Sequence, residues 1–258
     1  MSSLMDALSD LEVVMVPVLS DNYAYLLRDR RSGQVAVVDP SEAEPLIRSW
    51  EKLKWEKPAL VFNTHHHWDH VGGNEVLQQQ FGCEIVCSKF DQKRVPGKIG
   101  RTLGEGDLLS LGSVRFQAME IPGHTLGHLA LYARSESAVF VGDTLFGMGC
   151  GRLFEGTPEM MWHSLSRFKA LPGETRVYCG HEYTESNGRF ALSVEPENLA
   201  IIERMKAVRE LRQAGKFTVP FCIEEELRTN PFFRVDLQSR LPAVERFADL
   251  RHLKDHFQ

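Results

Sequence analysis

Apolar positions fall in short runs over the first two-thirds of the chain and at helical spacing over the last third. Val13–Val18, Tyr23–Leu27 and Val35–Val38 are apolar or alternating runs. They are bounded by Ser20-Asp21-Asn22, Arg31-Ser32-Gly33 and Asp39-Pro40, so they read as strands between turns. Glu42–Leu53 places Leu46, Ile47, Trp50 and Leu53 along one helical face. Ala59–Asn63 is a short buried strand that empties into a histidine-rich turn, and Asn74–Phe81 is a helix ended by Gly82. Further strands are expected at Glu84–Cys87, Asp107–Leu109, Val114–Ile121, Leu129–Ala133, Ala138–Val141 and Arg176–Cys179. Pro158–Leu171 is a helix with Pro158 at its start and Pro172-Gly173 at its end.

The texture changes after His181. Glu197–Ala214 carries Leu199, Ile202, Met205, Val208 and Leu211 at helical spacing, Ala243–Phe257 is a second helix, and Thr229–Arg234 is expected to be a turn between them. The pattern predicts an α+β chain: a strand-rich domain over residues 1–181 and a smaller helical domain over 182–258.

Composition narrows the class. The 258 residues are 43% hydrophobic and 25% charged, with a formal net charge of -5. That charge argues against nucleic acid as a partner, since phosphate binding calls for a basic face. A local basic pocket remains compatible with that charge, and the last turn, Arg251-His252-Leu253-Lys254, is a candidate for one. The five cysteines are odd in number and form no CxxC pair, which fits a reducing compartment. Met1–Leu11 holds Asp6 and Asp10 and no basic residue, unlike a leader peptide, and no apolar run approaches membrane-spanning length. A cytoplasmic location away from membranes is expected.

Thr64-His65-His66-His67-Trp68-Asp69-His70 packs several metal-type ligands into one short turn. On extended backbone His65 and His67 leave from the same face, while Asp69 and His70, beyond a bend, can aim at a second ion. A solvated histidine-rich loop is the alternative. Three further candidates follow predicted strands, each beside a glycine: His124 in Pro122-Gly123-His124, Asp143 in Gly142-Asp143 and His181 in Gly180-His181. Singly, each is as well explained as a turn, cap or packed histidine.

The joint pattern, His65-x-His67-x-Asp69-His70 with His124, Asp143 and His181 in that order, resembles the metallo-β-lactamase superfamily. Gly149-Cys150-Gly151-Arg152, Gly180-His181-Glu182-Tyr183-Thr184, Asn230-Pro231-Phe232 and the basic C-terminal helix narrow the likeness to its glyoxalase II (hydroxyacylglutathione hydrolase) family. The resemblance implies a four-layer αβ/βα sandwich followed by a helical, glutathione-binding domain. It implies two divalent metal ions, zinc first, with iron or manganese as alternatives. His65, His67 and His124 would hold one ion and Asp69, His70 and His181 the other. Asp143 would bridge them, and Asp143 and Asp69 would hold a metal-bridging hydroxide. His66 would be no ligand, and His128 would orient one.

Arg152, Tyr183, Arg251 and Lys254 would bind the substrate, although a C-terminal basic turn also suits a helix dipole. Some animal members have tyrosine where this chain has Phe154, so a hydroxyl contact is absent there. The implied reaction is hydrolysis of the thioester S-D-lactoylglutathione to glutathione and D-lactate, the second step of methylglyoxal detoxification, by a monomer. Two other readings compete: a glutathione persulfide dioxygenase of the same superfamily using one iron, and a non-catalytic metal-binding module.

Overall fold

The computed structural model describes residues 9–237 and 241–257; Asp6 and most of the segment read as lacking a leader lie outside the described residues. The chain forms two compact units. One comprises the chain up to Glu120 together with Leu129–Phe140, and the other comprises Ile121–His128 together with Val141 onward.

The first unit holds a six-stranded sheet in chain order: β1 (Leu11–Val18), β2 (Asn22–Asp29), β3 (Val35–Val38), β4 (Pro58–Phe62), β5 (Glu84–Ser88) and β6 (Ile99–Leu103). β1, β2 and β3 pair antiparallel; β3, β4, β5 and β6 pair parallel. Parallel neighbours need crossovers. Helix α1 (Ala43–Leu53) links β3 to β4, while the short α2 (Trp68–Val71) and α3 (Asn74–Phe81) link β4 to β5. Leu46 and Trp50 of α1 and Leu77 of α3 pack into one core with Leu26, Val37, Val61 and Ile85. Because β3 and β4 run parallel, Asp39 and Asn63 leave the sheet side by side at its carboxyl edge, where open α/β sheets place their ligands. The same unit carries an antiparallel set of β7 (Leu108–Leu111), β8 (Val114–Glu120), β9 (Leu129–Ala133) and Ala138–Phe140 of β10 (Ala138–Gly142).

In the second unit, Val141 and Gly142 end β10. A hairpin of β11 (Leu145–Phe146) and β12 (Gly149–Cys150) follows, with Leu145 opposite Cys150 and Phe146 opposite Gly149. Helix α4 (Pro158–Lys169) starts from Thr157, whose side chain accepts a hydrogen bond from the Met160 N–H. β13 (Arg176–Cys179) pairs antiparallel with β14 (Phe221–Cys222). Helices α5 (Thr184–Val194), α6 (Leu199–Gln213), α7 (Ile223–Thr229) and α8 (Ala243–Asp255) complete the unit. Phe190 stacks on Phe232 at 6.0 Å, and Phe232 meets Phe247 at 5.6 Å, so α5 and α8 share an aromatic core.

Several elements escape the hydrophobic pattern, β6 and β14 among them. In β6, Ile99-Gly100-Arg101-Thr102-Leu103 has apolar residues only at its ends, and its pairing to β5 makes it an edge strand. β14 is two residues long, too short to show a period, yet it puts a strand in the stretch read as helical. Thr229–Arg234 is tighter than an open turn: the Asn230 carbonyl oxygen of its side chain accepts from the Phe232 N–H at 2.9 Å, capping a 3₁₀ turn over Pro231–Phe233. Among the described residues no helix is long and apolar enough to cross a membrane.

Candidate metal centre

Each compact unit carries its own cluster of metal-type donors. In the first, β4 delivers Asn63 and Thr64 to the sheet edge, and the side-chain amides of Asn63 and Asn74 pair, with Asn74 Nδ2 donating to Asn63 Oδ1 at 2.8 Å. Asn63 Nδ2 also donates to the His70 carbonyl at 3.2 Å, which fixes the start of the turn against its end. Asp39, at the end of β3, accepts from the Thr64 N–H at 2.8 Å and the Thr64 hydroxyl at 2.7 Å. Its Oδ2 also lies 3.1 Å from His70 Nδ1.

These contacts fix proton positions. The Thr64 hydroxyl gives its one hydrogen to Asp39, so its oxygen accepts from His65 Nδ1, 3.0 Å away. His65 Nε2 then carries a lone pair, and it faces His67 Nδ1 at 3.0 Å. By the same logic Asp39 takes the Nδ1 proton of His70 and leaves its Nε2 as a donor to a cation. Asp69 Oδ2 is 3.6 Å from that Nε2 and accepts from Asn22 Nδ2 at 3.0 Å. The Asp69 carbonyl accepts from the Ser41 hydroxyl. His66 turns elsewhere, to the buried Asp91 at 3.3 Å.

In the second unit, Asp143 follows Gly142, whose φ of 48° suits glycine. Asp143 Oδ2 lies 3.5 Å from His124 Nε2 and 3.2 Å from His181 Nε2. The Asp143 N–H donates to His128 Nε2 at 3.1 Å, so His128 steadies the backbone that carries the carboxylate. His124 Nδ1 donates to the Arg152 carbonyl at 2.9 Å, because a carbonyl only accepts; its Nε2 lone pair is thereby turned towards Asp143. A Cβ at Gly151 would collide with the Asp143 carbonyl, so that position needs glycine for close approach. His181 is set by its neighbours: the Cys179 thiol donates to its carbonyl at 3.4 Å, and the Tyr183 ring stacks on its imidazole at 4.7 Å. Glu182 accepts from the Thr218 hydroxyl at 2.6 Å and from Arg212 at 3.3 Å.

Both clusters fit a divalent metal. Imidazole nitrogens with their lone pairs held free by hydrogen bonds on the other ring atom, and carboxylates among them, are the donor set that zinc, iron and manganese take. No thiol joins either cluster.

Residues 19–181 match the model of the metallo-beta-lactamase superfamily, and residues 182–257 match that of the hydroxyacylglutathione hydrolase C-terminus. A hydroxyacylglutathione hydrolase of Methylococcus capsulatus is 47% identical over 256 residues, covering 96% of this chain and 99% of the relative. One of Rhodospirillum rubrum is 48% identical over 258 residues, covering 97% and 100%. The chain belongs to the hydroxyacylglutathione hydrolase family.

Solved structures agree on the α+β metallo-β-lactamase fold of the family. The crystal structure of ETHE1 from Myxococcus xanthus matches with a TM-score of 0.67 at 25% identity, covering 95% of this chain and 90% of that one. That of TTHA1623 in a di-iron-bound form matches with a TM-score of 0.63 at 26% identity, covering 86% and 99%.

The family's C-terminal region brings cations together within the second unit. Arg251 is buried beneath Phe232, with Nε 3.1 Å and Nη2 2.8 Å from Asp255 Oδ1 and Nη1 donating to the Cys150 carbonyl at 2.9 Å. Exposed Arg152 reaches the same Asp255 at 3.9 Å. Lys254 lies over Phe190 and Phe257. Burial, then the charges of Arg251, Arg189 and Arg152, push its ammonium down to about 8, with Asp255 opposing them. Phe154 is exposed and meets the His124 ring edge-on at 5.2 Å.

Asp39 is the residue that sequence reasoning missed. Asp39-Pro40 reads as a strand-ending turn, yet a carboxylate just past a buried apolar strand is the same signal that marked Asp143.

Proposed function

We propose that this chain hydrolyses the thioester of an S-(2-hydroxyacyl)glutathione, S-D-lactoylglutathione first, releasing glutathione and D-lactate. The single observation that carries the proposal is the match of residues 182–257 to the hydroxyacylglutathione hydrolase C-terminus, over the stretch that supplies Tyr183, Arg251 and Lys254. The match of residues 19–181 to the metallo-beta-lactamase superfamily does not by itself single out this substrate.

In this reading the two clusters hold two divalent ions, zinc with iron or manganese as alternatives. His65, His67 and His124 would serve one, Asp69, His70 and His181 the other, and Asp143 both. Such a pair supplies an acidified water and a polarised acyl carbonyl.

The side chains do the rest. Asp39, Thr64 and the Arg152 carbonyl hold protons on the outward ring nitrogens of His70, His65 and His124, so the inward nitrogens keep their lone pairs. Arg152 and Lys254 offer cationic donors to the glutathione carboxylates, and Arg152 can grip one in a fork. Arg251 adds charge while its own donors keep Asp255 and the Cys150 carbonyl in place. Tyr183, stacked on His181, would bring a hydroxyl to the substrate. The leaving group is a thiolate, and a thiol ionising at about 8.5 departs with little protonation, so no general acid is required. Residues 1–181 would be the catalytic domain and 182–258 the substrate-binding one. The enzyme would act as a cytoplasmic monomer on a small molecule.

The test is hydrolysis of S-D-lactoylglutathione compared with a short acyl thioester lacking glutathione. Preference for the former, lost on chelation and regained with divalent metal, is expected. Metal binding without turnover of either thioester would refute the proposal in favour of a metal-binding module.

A further inference from the structure

The stretch from Asp143 to Arg152 joins a candidate metal ligand to a candidate substrate cation through the β11–β12 hairpin. Its larger side chains, Leu145, Phe146, Met148 and Cys150, are all buried, and Gly147, Gly149 and Gly151 leave the backbone between them open to close approach. Its turn is Gly147-Met148, and Met148 sits at φ 56°, a conformation that a side chain of this kind rarely adopts. A turn of that kind persists only where its surroundings impose it.

What imposes it is a set of buried polar side chains from the helical tail. Glu226 of α7 is fully buried, and its Oε2 accepts from the Met148 N–H at 2.9 Å. Asn230 donates from Nδ2 to the Gly149 carbonyl at 3.0 Å and to Glu226 Oε2 at 2.7 Å. Asn187 of α5 donates to the Gly147 carbonyl at 3.2 Å. Arg204 of α6 lies 2.6 Å from Glu226 Oε1 and donates to the Thr229 hydroxyl at 2.5 Å. Burial pushes the Glu226 carboxyl up, and Arg204, Asn230 and the Met148 N–H pull it back. Side chains of α5 and α7 therefore hold the hairpin by its backbone, Arg204 of α6 holds Glu226, and the Met148 side chain packs among Ala191, Ile201, Met205 and Val208.

The hairpin leads directly to functional atoms. Its last residue, Cys150, offers its carbonyl to Arg251, and the Gly151 N–H donates to the Thr144 carbonyl at 3.2 Å. One residue on, the Arg152 carbonyl takes the Nδ1 proton of His124 while its guanidinium extends the cationic cluster. A slip at Met148 would be felt at Arg152.

We propose that Glu226 and Asn230, with Asn187, are positioning residues that hold the Gly147-Met148 turn so that Arg152 meets the glutathione portion of the substrate. The inference rests on the thioesterase reading for its substrate, though not for its mechanics. It places the tail's role beyond supplying cations: the tail also sets the register of the loop that leaves the metal ligands.

The test compares Glu226→Gln, Asn230→Ala and Asn187→Ala in the metal-loaded full chain. Glu226→Gln keeps the shape and an acceptor but loses the charge facing Arg204. Asn187→Ala removes one neutral hydrogen bond and is the variant least able to disturb folding. For variants that keep wild-type far-UV circular dichroism, KM for S-D-lactoylglutathione should rise about tenfold with kcat nearly unchanged. Turnover of a short acyl thioester without glutathione should change less than about twofold. Amide hydrogen exchange should accelerate about tenfold within 145–152 and stay as in the wild type in Arg176–Cys179. Exchange that rises uniformly, or not at all, in folded Asn187→Ala and Glu226→Gln would overturn the proposal whatever the substrate. Localised exchange with equal effects on both thioesters would overturn the link to Arg152. If the wild type fails on S-D-lactoylglutathione, the thioesterase reading falls, and the exchange data still decide whether the tail holds the turn.

Discussion

The histidine-rich turn draws its donors from seven consecutive residues, Thr64–His70, held by Asp39, Asn63 and Asn74 at the edge of a parallel sheet. The cationic face of the second unit draws Arg152, Tyr183, Arg251 and Lys254 from positions scattered between 152 and 254, and holds them with Asp255, Cys150 and aromatic rings. In the first region Thr64 and Asp39 lock the His65 and His70 imidazoles each into one tautomer, as metal binding demands. In the second, buried Arg251, partly buried Lys254 and exposed Arg152 gather around Asp255, and the mutual repulsion that lowers Lys254 is one that an anionic ligand would relieve. The histidine-rich turn is built from neighbours in the chain, and the cationic cluster is assembled from afar.

The sharpest break in that comparison comes at Asp143. Asp143→Asn should lose bound metal and turnover together, by about a thousandfold in kcat/KM, with metal content measured on the same sample. A variant that kept its metal and its rate would place the bridging role elsewhere.

Next comes Asp39→Ala, which frees Thr64 and His70 from their anchor. Metal affinity should fall about 10- to 100-fold, the usual cost of losing a group that orients a ligand. KM for the glutathione thioester should stay put once metal is saturating; a selective KM effect would blur the division between the two regions.

Lys254→Ala should do the reverse, raising KM about tenfold for S-D-lactoylglutathione while leaving metal content and short thioester hydrolysis intact. Equal effects on both substrates would count against a glutathione site there.

The smallest effect is on pH. Lys254 is held down to about 8, so its charge is present below that pH and is lost as pH rises through it. KM should therefore climb by about threefold between pH 7 and 9, and Lys254→Arg, which stays charged, should flatten the profile.

Legibility in the sequence followed the same division. The candidate ligands His65, His67, Asp69 and His70 stand close together in the chain, while His124, Asp143 and His181, each just past an apolar strand, stood out only through their joint pattern. Most strands and the long helices show as runs of period two or 3.6. Asp39 hid behind its proline because Asp-Pro is also an ordinary turn. Glu226 hid because an acidic residue in the polar run Glu224-Glu225-Glu226 looks solvated, and only the fold brings Arg204 and the Met148 N–H to it. Arg251 and Lys254 were legible only through family resemblance, since a basic last turn has a sufficient cause in the helix dipole. Short elements such as β14 and the β11–β12 hairpin carry too few residues for any period and exist by pairing alone.

The central claim is that the two donor clusters take up a pair of divalent ions that the thioesterase reaction needs. Zinc titrated into the metal-free chain, with bound metal per chain and S-D-lactoylglutathione hydrolysis followed together, tests it most directly. Hydrolysis should rise with occupancy and level off at about two ions per chain. Full turnover without metal, or saturation with metal and no turnover, would contradict it.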